Sequence, residues 1–242
     1  MEDKKICKTL ERVELSDILV VRTEKKYSIS PCQCSNLLYR LEPIMRLDQH
    51  SGPDGYMVRS LYFDSIYDND YFDKVSGLEM RKKVRLRIYA PEQQTVKLEL
   101  KQKQGSAQKK ISLSISRDLA EEMMGGQYSG LLELGSDTAM MFYRILETGL
   151  YRPQCIIEYN RIAFAEESND IRITVDSDIG MSPFCERFFD REVSYIPVRK
   201  EPVLEVKYNR FLLSNIKQVL DFADSTELAI SKYAMSRQVL GM

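Results

Sequence analysis

The chain has 242 residues, 43% of them hydrophobic and 29% charged, so it can bury a substantial core and is not globally disordered. Its 35 Lys and Arg residues are balanced by 36 Asp and Glu residues, which argues against bulk electrostatic attraction to nucleic acid or to an anionic membrane. No run approaches the roughly 18 apolar residues of a membrane span, and no apolar segment follows the charged residues 1–5 as in a secretory signal. Five scattered cysteines without Cys-x-x-Cys spacing favour reduced thiols, so a cytoplasmic protein is expected.

The hydrophobic pattern along the chain predicts mainly strands, with a few helices between them. Strands are predicted at 18–29, 57–64, 81–89, 95–103, 108–115, 154–165, 171–176 and 202–208. Helices are predicted after the start signal Ser30-Pro31 and at 65–75, 118–124, 138–150, 215–223 and 231–240. This many long strands in one domain favour an α+β fold with an antiparallel barrel or sandwich over a parallel sheet.

Charged residues occupy alternate positions on several predicted strands, and residues two apart lie on the same strand face. The cations on these faces are Arg81, Lys83, Arg85, Arg87, Lys97, Lys101, Lys103 and Lys110. A solvated sheet face is the commoner explanation for any single strand. Like charges on neighbouring strands destabilise a sheet, however, so a cationic face shared by three adjacent strands is better explained by a bound polyanion. The carboxylates among these cations are candidate ligands of a divalent metal ion: Glu24, Glu99, Asp176 and Glu205.

The polyanion is expected to be a phosphate chain rather than nucleic acid. Arginine and lysine both suit phosphate oxygens, whereas the tyrosines do not interleave with the basic faces as a base-stacking surface would. Neither a P-loop nor a dinucleotide-binding glycine motif occurs in the sequence. The single histidine, His50, lies in a predicted loop, which argues against a histidine-centred catalytic site.

A series of short motifs resembles the VTC domain, the polyphosphate polymerase domain of the vacuolar transporter chaperone complex. The first is EKKY at 24–27, which is similar to the opening signature of the triphosphate tunnel fold, with Arg22 at its first acidic position. The others are SLYFD at 60–64, YFDK at 71–74, KVRLRIY at 83–89, ELK at 99–101, YNR at 159–161, RITVD at 172–176, LEVK at 204–207 and SKY at 231–233. The resemblance extends over residues 9–238, which are expected to form one domain.

The resemblance implies an eight-stranded antiparallel tunnel barrel with flanking helices, which binds a triphosphate chain and a divalent metal ion, Mn or Mg. It also implies transfer of the terminal phosphate of ATP to a growing inorganic polyphosphate chain, without membrane insertion of this chain. The implied phosphate contacts are Lys26, Arg85, Arg87, Lys101, Lys110, Tyr159, Arg161, Arg172, Ser231 and Lys232. The implied catalytic residues are Lys26, Arg85, Arg87 and Lys232, and the implied metal ligand is Glu205.

One position departs from the family pattern. The family has a further lysine three positions before the residue that matches Lys232, and Ala229 stands there in this chain. Two alternatives to polymerisation therefore stay open. One is a tripolyphosphate or nucleoside-triphosphate phosphohydrolase that uses the same tunnel, and the other is a non-catalytic polyphosphate-binding module.

Overall fold

The computed structural model describes residues 23–105, 107–221 and 227–241, and these contain ten strands and seven α-helices. The strands are β1 Thr23–Ser28, β2 Arg46–Leu47, β3 Tyr56–Ser65, β4 Met80–Ile88, β5 Thr95–Gln104, β6 Ala107–Ser116, β7 Tyr151–Glu166, β8 Ile171–Ser182, β9 Ile196–Arg199 and β10 Val203–Tyr208. The helices are α1 Pro31–Leu41, α2 Asn69–Val75, α3 Arg117–Met124, α4 Gly130–Glu133, α5 Asp137–Thr148, α6 Ser214–Leu220 and α7 Lys232–Val239. Arg22 and the predicted beginning of the first strand lie outside the described residues.

The predicted antiparallel sheet is confirmed, with ten strands in the described part of the chain rather than eight. Eight of them follow one another in the order β1-β10-β8-β7-β3-β4-β5-β6, while β2 pairs only with β7 and β9 only with β8. These two extra strands span two and four residues, which is too short for a period of two to be recognised in the sequence. None of the helices in the described ranges has the length and apolarity of a membrane span.

The helix start predicted at Ser30-Pro31 is confirmed by its capping geometry. The Ser30 hydroxyl accepts a hydrogen bond from the backbone N–H of Gln33, and the Gln33 side chain accepts one from the backbone N–H of Ser30. Pro31 occupies the first turn, where its missing N–H costs nothing. The serines that cap α3, α5 and α7 accept backbone hydrogen bonds in the same way.

The sheet is strongly curved. β1 and β5 stand six places apart in the strand order, a separation of roughly 29 Å in a flat sheet with strands about 4.8 Å apart. Nevertheless, Glu24 of β1 and Lys101 of β5 lie 3.2 Å apart, between a carboxylate oxygen and the ammonium nitrogen. The sheet must therefore curl until its two ends face each other, and we call the interior lined by its polar face the lumen.

The apolar face of the curved sheet points outward and is covered by helices. On one side, Leu86 and Leu98 of β4 and β5 pack with Leu119 of α3 and Phe142 of α5, all buried. On the other side, the apolar residues of β8 and β10 pack with α1 and α6. The strand alternation thus marks a barrel whose apolar side chains lie outside, under helices, and whose charged side chains lie inside.

The last helix, α7, is fixed at the lumen by a buried aromatic and carboxylate cluster. The ring of Tyr233 stacks on that of Tyr62 with centroids 5.1 Å apart, and its hydroxyl donates to Asp64 at 2.6 Å. Asp64 also accepts hydrogen bonds from the backbone N–H groups of Asp70 and Tyr71 at the start of α2. Because Tyr233 directly follows the helix start, this docking fixes the residues just before it at the lumen.

Tyr233→Phe is expected to lower the free energy of unfolding by about 1.5–3 kcal/mol, because it removes a buried hydrogen bond to a carboxyl group without changing the ring packing. Urea unfolding measures the change. Tyr39→Phe, at a tyrosine that is 79% exposed, is the matched control and should leave the stability within about 0.5 kcal/mol. Equal stabilities of the two variants would contradict the role given to the Asp64 hydrogen bond.

Candidate functional site

Three of the predicted cations surround the buried carboxylate of Glu99. Arg85 Nη2 lies 2.7 Å and Arg87 Nη1 lies 3.7 Å from Glu99 Oε2, and Lys110 Nζ pairs with Oε1. Burial would raise the pKa of Glu99, but Arg85, Arg87 and Lys110 outweigh it and hold that pKa well below its usual range. Because one carboxylate faces three cations, this part of the lumen keeps an excess of positive charge.

The two arginines of β4 point into the lumen, as their shared strand face predicts. Arg85 Nη1 donates to the Tyr62 hydroxyl at 2.9 Å, and Arg87 Nε donates to the Ser60 hydroxyl at 3.2 Å. Arg87 Nη2 lies 3.4 Å from the hydroxyl of Tyr159. The neighbouring strands therefore hold both guanidinium groups in fixed orientations.

A second group forms around Asp176, which is fully buried. Arg161 makes two hydrogen bonds to its carboxylate, at 2.6 and 2.8 Å, and Lys232 Nζ lies 2.6 Å from Oδ2. Burial would raise the pKa of Asp176, but Lys232 and Arg161 outweigh it and lower the pKa to about 2. Lys232 also lies 4.6 Å from the centroid of the Tyr159 ring, which brings β7, β8 and α7 together at one point.

Two further carboxylates share Lys26 of β1 as their ion-pair partner. Lys26 Nζ lies 3.0 Å from Glu24 and 3.4 Å from Glu205, while Lys101 pairs with Glu24 and Lys207 with Glu205. Burial and the nearby Glu205 would raise the pKa of Glu24, but Lys26, Lys101 and Lys207 lower it to about 2. The pKa of Glu205 lies well below its usual range, because Lys207 and Lys26 outweigh its burial. Both carboxylates are therefore ionised at neutral pH.

Arg172 lies apart from the other predicted contacts. Its guanidinium group pairs with Asp48 at 2.9 Å, and its side chain is 37% exposed. Its Nε is buried and makes no hydrogen bond within the described residues. Arg172 shares a strand face with Asp176 but sits at the rim of the lumen, so it extends the cationic surface rather than joining the central groups.

The structure also places in the lumen two lysines to which the resemblance gave no role. Lys83 and Lys207 have the strand positions of the cationic faces, so the alternation alone indicated their direction. A cavity of about 460 Å³, which we call the lysine-lined cavity, lies beside the start of α7. Its lining includes the cations Lys26, Lys74, Arg81, Lys82, Lys83, Lys101 and Lys103, the carboxylates Glu24 and Glu227, and also Ala229 and Ser231. Ser231 thus lies at the lumen as predicted, next to the position that lacks the family lysine.

The oxygen donors of the lumen fit a hard divalent cation only in part. Among the described residues, no three His, Cys, Asp or Glu side chains are grouped as metal ligands. Glu205 and Glu24 nevertheless offer carboxylate oxygens on either side of Lys26. A hard cation can complete its shell with phosphate oxygens and water, so a single protein carboxylate can be enough when a phosphate chain is present.

The same fold occurs in solved structures. A candidate adenylate cyclase from Bacillus halodurans superposes with a TM-score of 0.52 at 13% identity, over 88% of this chain and 96% of that one. A candidate adenylyl cyclase from Hippeastrum, described as having a dominant triphosphatase activity, gives a TM-score of 0.53 at 13% identity, over 89% and 95% of the two chains. At this identity the likeness establishes the fold alone.

The described residues therefore have the triphosphate tunnel fold that the sequence motifs predicted, with charged side chains inside the barrel. The model of the VTC domain family matches residues 21–241, and the chain belongs to that family. No curated protein sequence matches this chain.

Proposed function

We propose that this protein transfers the terminal phosphate of ATP to a growing inorganic polyphosphate chain bound in the lumen. The observation that supports this most directly is the convergence of cations from distant strands and from α7 on one interior, where they outnumber the carboxylates. A phosphate chain carries a negative charge at each unit and has no apolar part, which matches such a lining. Membership of the VTC domain family supports the same activity.

Phosphoryl transfer requires mainly positioning and neutralisation of charge, and it needs no covalent nucleophile on the protein. An oxygen of the terminal phosphate of the chain attacks the γ-phosphorus of ATP, and the bond from that phosphorus to the β–γ bridging oxygen breaks. ADP leaves with the electron pair of this bond, and the chain is longer by one phosphate. No general base is needed, because the attacking phosphate oxygen is already ionised.

We propose that the lumen cations bind the phosphates by exchanging carboxylate oxygens for phosphate oxygens. Arg85, Arg87 and Lys110 would bind phosphate oxygens beside Glu99, with both arginines already oriented by hydroxyl groups. Arginine suits this task because its planar guanidinium group can grip two oxygens at once.

The remaining contacts are proposed to act at the other two carboxylate groups. Lys26 and Lys101 would bind near Glu24, and Arg161 and Lys232 near Asp176. Tyr159 borders this second group, and Arg172 would bind a phosphate that reaches the rim. Lys26, Arg85, Arg87 and Lys232 are proposed as the catalytic cations.

Glu205 is proposed to hold the divalent metal ion, Mn or Mg. Such an ion, when bound, neutralises charge on the phosphate oxygens. Lys26 and Lys207 keep the Glu205 carboxylate ionised and in place. We further propose that residues 9–238 act as one domain in the cytoplasm, with ATP and inorganic polyphosphate as partners.

A phosphohydrolase is the second candidate, and the absence of a cation at Ala229 favours it. Ala229 lines the lysine-lined cavity, which has room for water beside Ser231. A water molecule in place of the chain end would turn the same transfer into hydrolysis. A binding module without turnover is the third candidate.

Incubation of the protein with ATP and manganese distinguishes the three candidates. We expect chains of inorganic phosphate, resolved by gel electrophoresis, together with stoichiometric ADP. Free phosphate without chains would identify a hydrolase, and binding of tripolyphosphate without turnover would identify a binding module. Lys232→Met should lower turnover by about 100-fold, because it removes a lumen cation, whereas Lys217→Met on the exposed face of α6 should not.

A further inference from the structure

Lys83 lies in the lysine-lined cavity with an unusual set of neighbours. Its Nζ donates to the Ser231 hydroxyl at 2.6 Å, and the charged groups that affect it most are the cations Lys26, Lys101, Lys74 and Arg85. By contrast, the cations grouped around Glu24, Glu99, Asp176 and Glu205 each lie within ion-pair distance of a carboxylate. Within the described residues, Lys83 is thus a cation held among cations, which indicates that an anion belongs beside it.

The geometry at Ser231 indicates where that anion would bind. A hydroxyl group has two acceptor lone pairs and one proton to donate. The Ser231 hydroxyl accepts from Lys83 Nζ at 2.6 Å and from the backbone N–H of Ala234 at 3.3 Å. Both lone pairs are therefore used, and the remaining hydroxyl proton is available to an acceptor in the cavity. An ammonium group and a hydroxyl donor that lie side by side form a suitable pair for one phosphate group.

We propose that Lys83 is a further phosphate-binding residue of the tunnel and that, with Ser231, it clamps the phosphate that enters the lysine-lined cavity. The proposal rests on the proposed function, since it takes the ligand to be an inorganic phosphate chain. Lys83 projects from β4 toward Ser231. Ser231 follows Ala229 by two positions, and both residues line the same cavity. Lys83 therefore supplies a cation beside the position where the VTC pattern has a lysine and this chain has alanine.

This arrangement predicts a pH dependence of phosphate binding. Burial, together with Lys26, Lys101, Lys74 and Arg85, lowers the pKa of Lys83 to about 7. A bound phosphate raises that pKa, because an adjacent anion favours the charged ammonium group. Below pH 7 Lys83 is already protonated, so phosphate binding takes up no proton. Above pH 7 Lys83 must take up a proton when phosphate binds, and its contribution to the affinity therefore falls.

The neighbouring groups limit which comparison is informative. The pKa of Lys101 is lowered to about 8 by burial, so this lysine also titrates near the test range, and so does tripolyphosphate itself. Both effects are common to wild type and variants. The informative quantity is therefore the ratio of dissociation constants between variant and wild type at each pH.

The test measures binding of inorganic tripolyphosphate without metal, at pH 6.5 and 8.5, by calorimetry. Lys83→Met is expected to weaken binding about tenfold at pH 6.5, which corresponds to the loss of one charge-assisted contact. At pH 8.5 it is expected to weaken binding by about threefold or less. Lys83→Arg should retain tight binding at both values, because its charge is fixed. Lys217→Met, on the outer face of α6, is the matched control and should change nothing.

The outcomes separate the two hypotheses. If wild type does not bind tripolyphosphate at either pH, the proposed function fails. If wild type binds and Lys83→Met matches Lys217→Met, Lys83 has no phosphate role and the inference is overturned. An equal loss at both pH values would support the phosphate contact and contradict only its pH dependence. Ser231→Ala combined with Lys83→Met should weaken binding no more than the larger single effect, because the two side chains act on one phosphate.

Discussion

Glu205→Gln is expected to lower metal-dependent turnover by on the order of 100-fold or more, while metal-free binding of tripolyphosphate is kept or strengthened. The substitution removes the carboxylate charge that pairs with Lys26 and Lys207. These lysines then keep only Glu24 as an ion-pair partner and attract phosphate oxygens more strongly. A neutral amide, however, is a poor anchor for a hard divalent cation. Titration of manganese against turnover, alongside calorimetry without metal, measures both effects.

Glu24→Gln is the matched control for this experiment, because Glu24 shares Lys26 with Glu205. It should strengthen metal-free binding to a similar extent but weaken the manganese response much less than Glu205→Gln, because Glu205 is the proposed anchor of the metal ion. If Glu205 only pairs with lysines, its substitution should destabilise the protein slightly and leave the manganese requirement unchanged. An unchanged manganese requirement would contradict the assignment of Glu205 as the metal ligand.

Arg85→Met is expected to lower both tripolyphosphate affinity and turnover by about 100-fold or more, because it removes an oriented guanidinium group from the lumen. It should also lower the free energy of unfolding by about 1–3 kcal/mol. Breaking a buried pair costs about 3–5 kcal/mol, and here Arg87 and Lys110 still face the Glu99 carboxylate and reduce the cost.

The double variant Arg85→Met with Glu99→Gln tests whether turnover follows stability alone. It leaves Arg87 and Lys110 without their carboxylate partner, so it should be no more stable than Arg85→Met, and it should not regain turnover. Arg144→Met, at an exposed arginine of α5, controls for loss of a surface charge. Recovery of turnover in the double variant would mean that Arg85 stabilises the fold and does not bind phosphate.

The long strands and helices could be predicted from the sequence because their hydrophobic and polar residues repeat with a fixed period over many positions. Every second residue from 81 to 87 is a cation, and this pattern placed Arg85 and Arg87 on the inner face before any distance was known. The start signal Ser30-Pro31 likewise located the start of α1. The four-residue helix α4 and the two short strands lack a repeat long enough to detect.

Such patterns could not predict the curvature of the sheet or the long-range side-chain contacts that the curvature creates. Lys83 and Ser231 are separated by 148 positions in the chain, and their contact exists only because α7 docks on Asp64 through Tyr233. The resemblance assigned a phosphate contact to Ser231 but none to Lys83, although Lys83 begins one of its motifs. Long-range contacts of this kind depend on the whole fold, which no local window contains.

The four inner carboxylates give the lumen built-in counterions. Glu24, Glu99, Asp176 and Glu205 each neutralise the cations beside them when no phosphate is present. Entry of a phosphate chain is therefore an exchange, in which phosphate oxygens replace carboxylate oxygens on the same ammonium and guanidinium groups. When the chain advances by one unit, each cation it leaves can return to its carboxylate, so no bare charge has to form inside the barrel. Under the proposed function, the carboxylates would thus lower the energy barriers between successive positions of the chain, so that a lumen that binds the polyanion also lets it move.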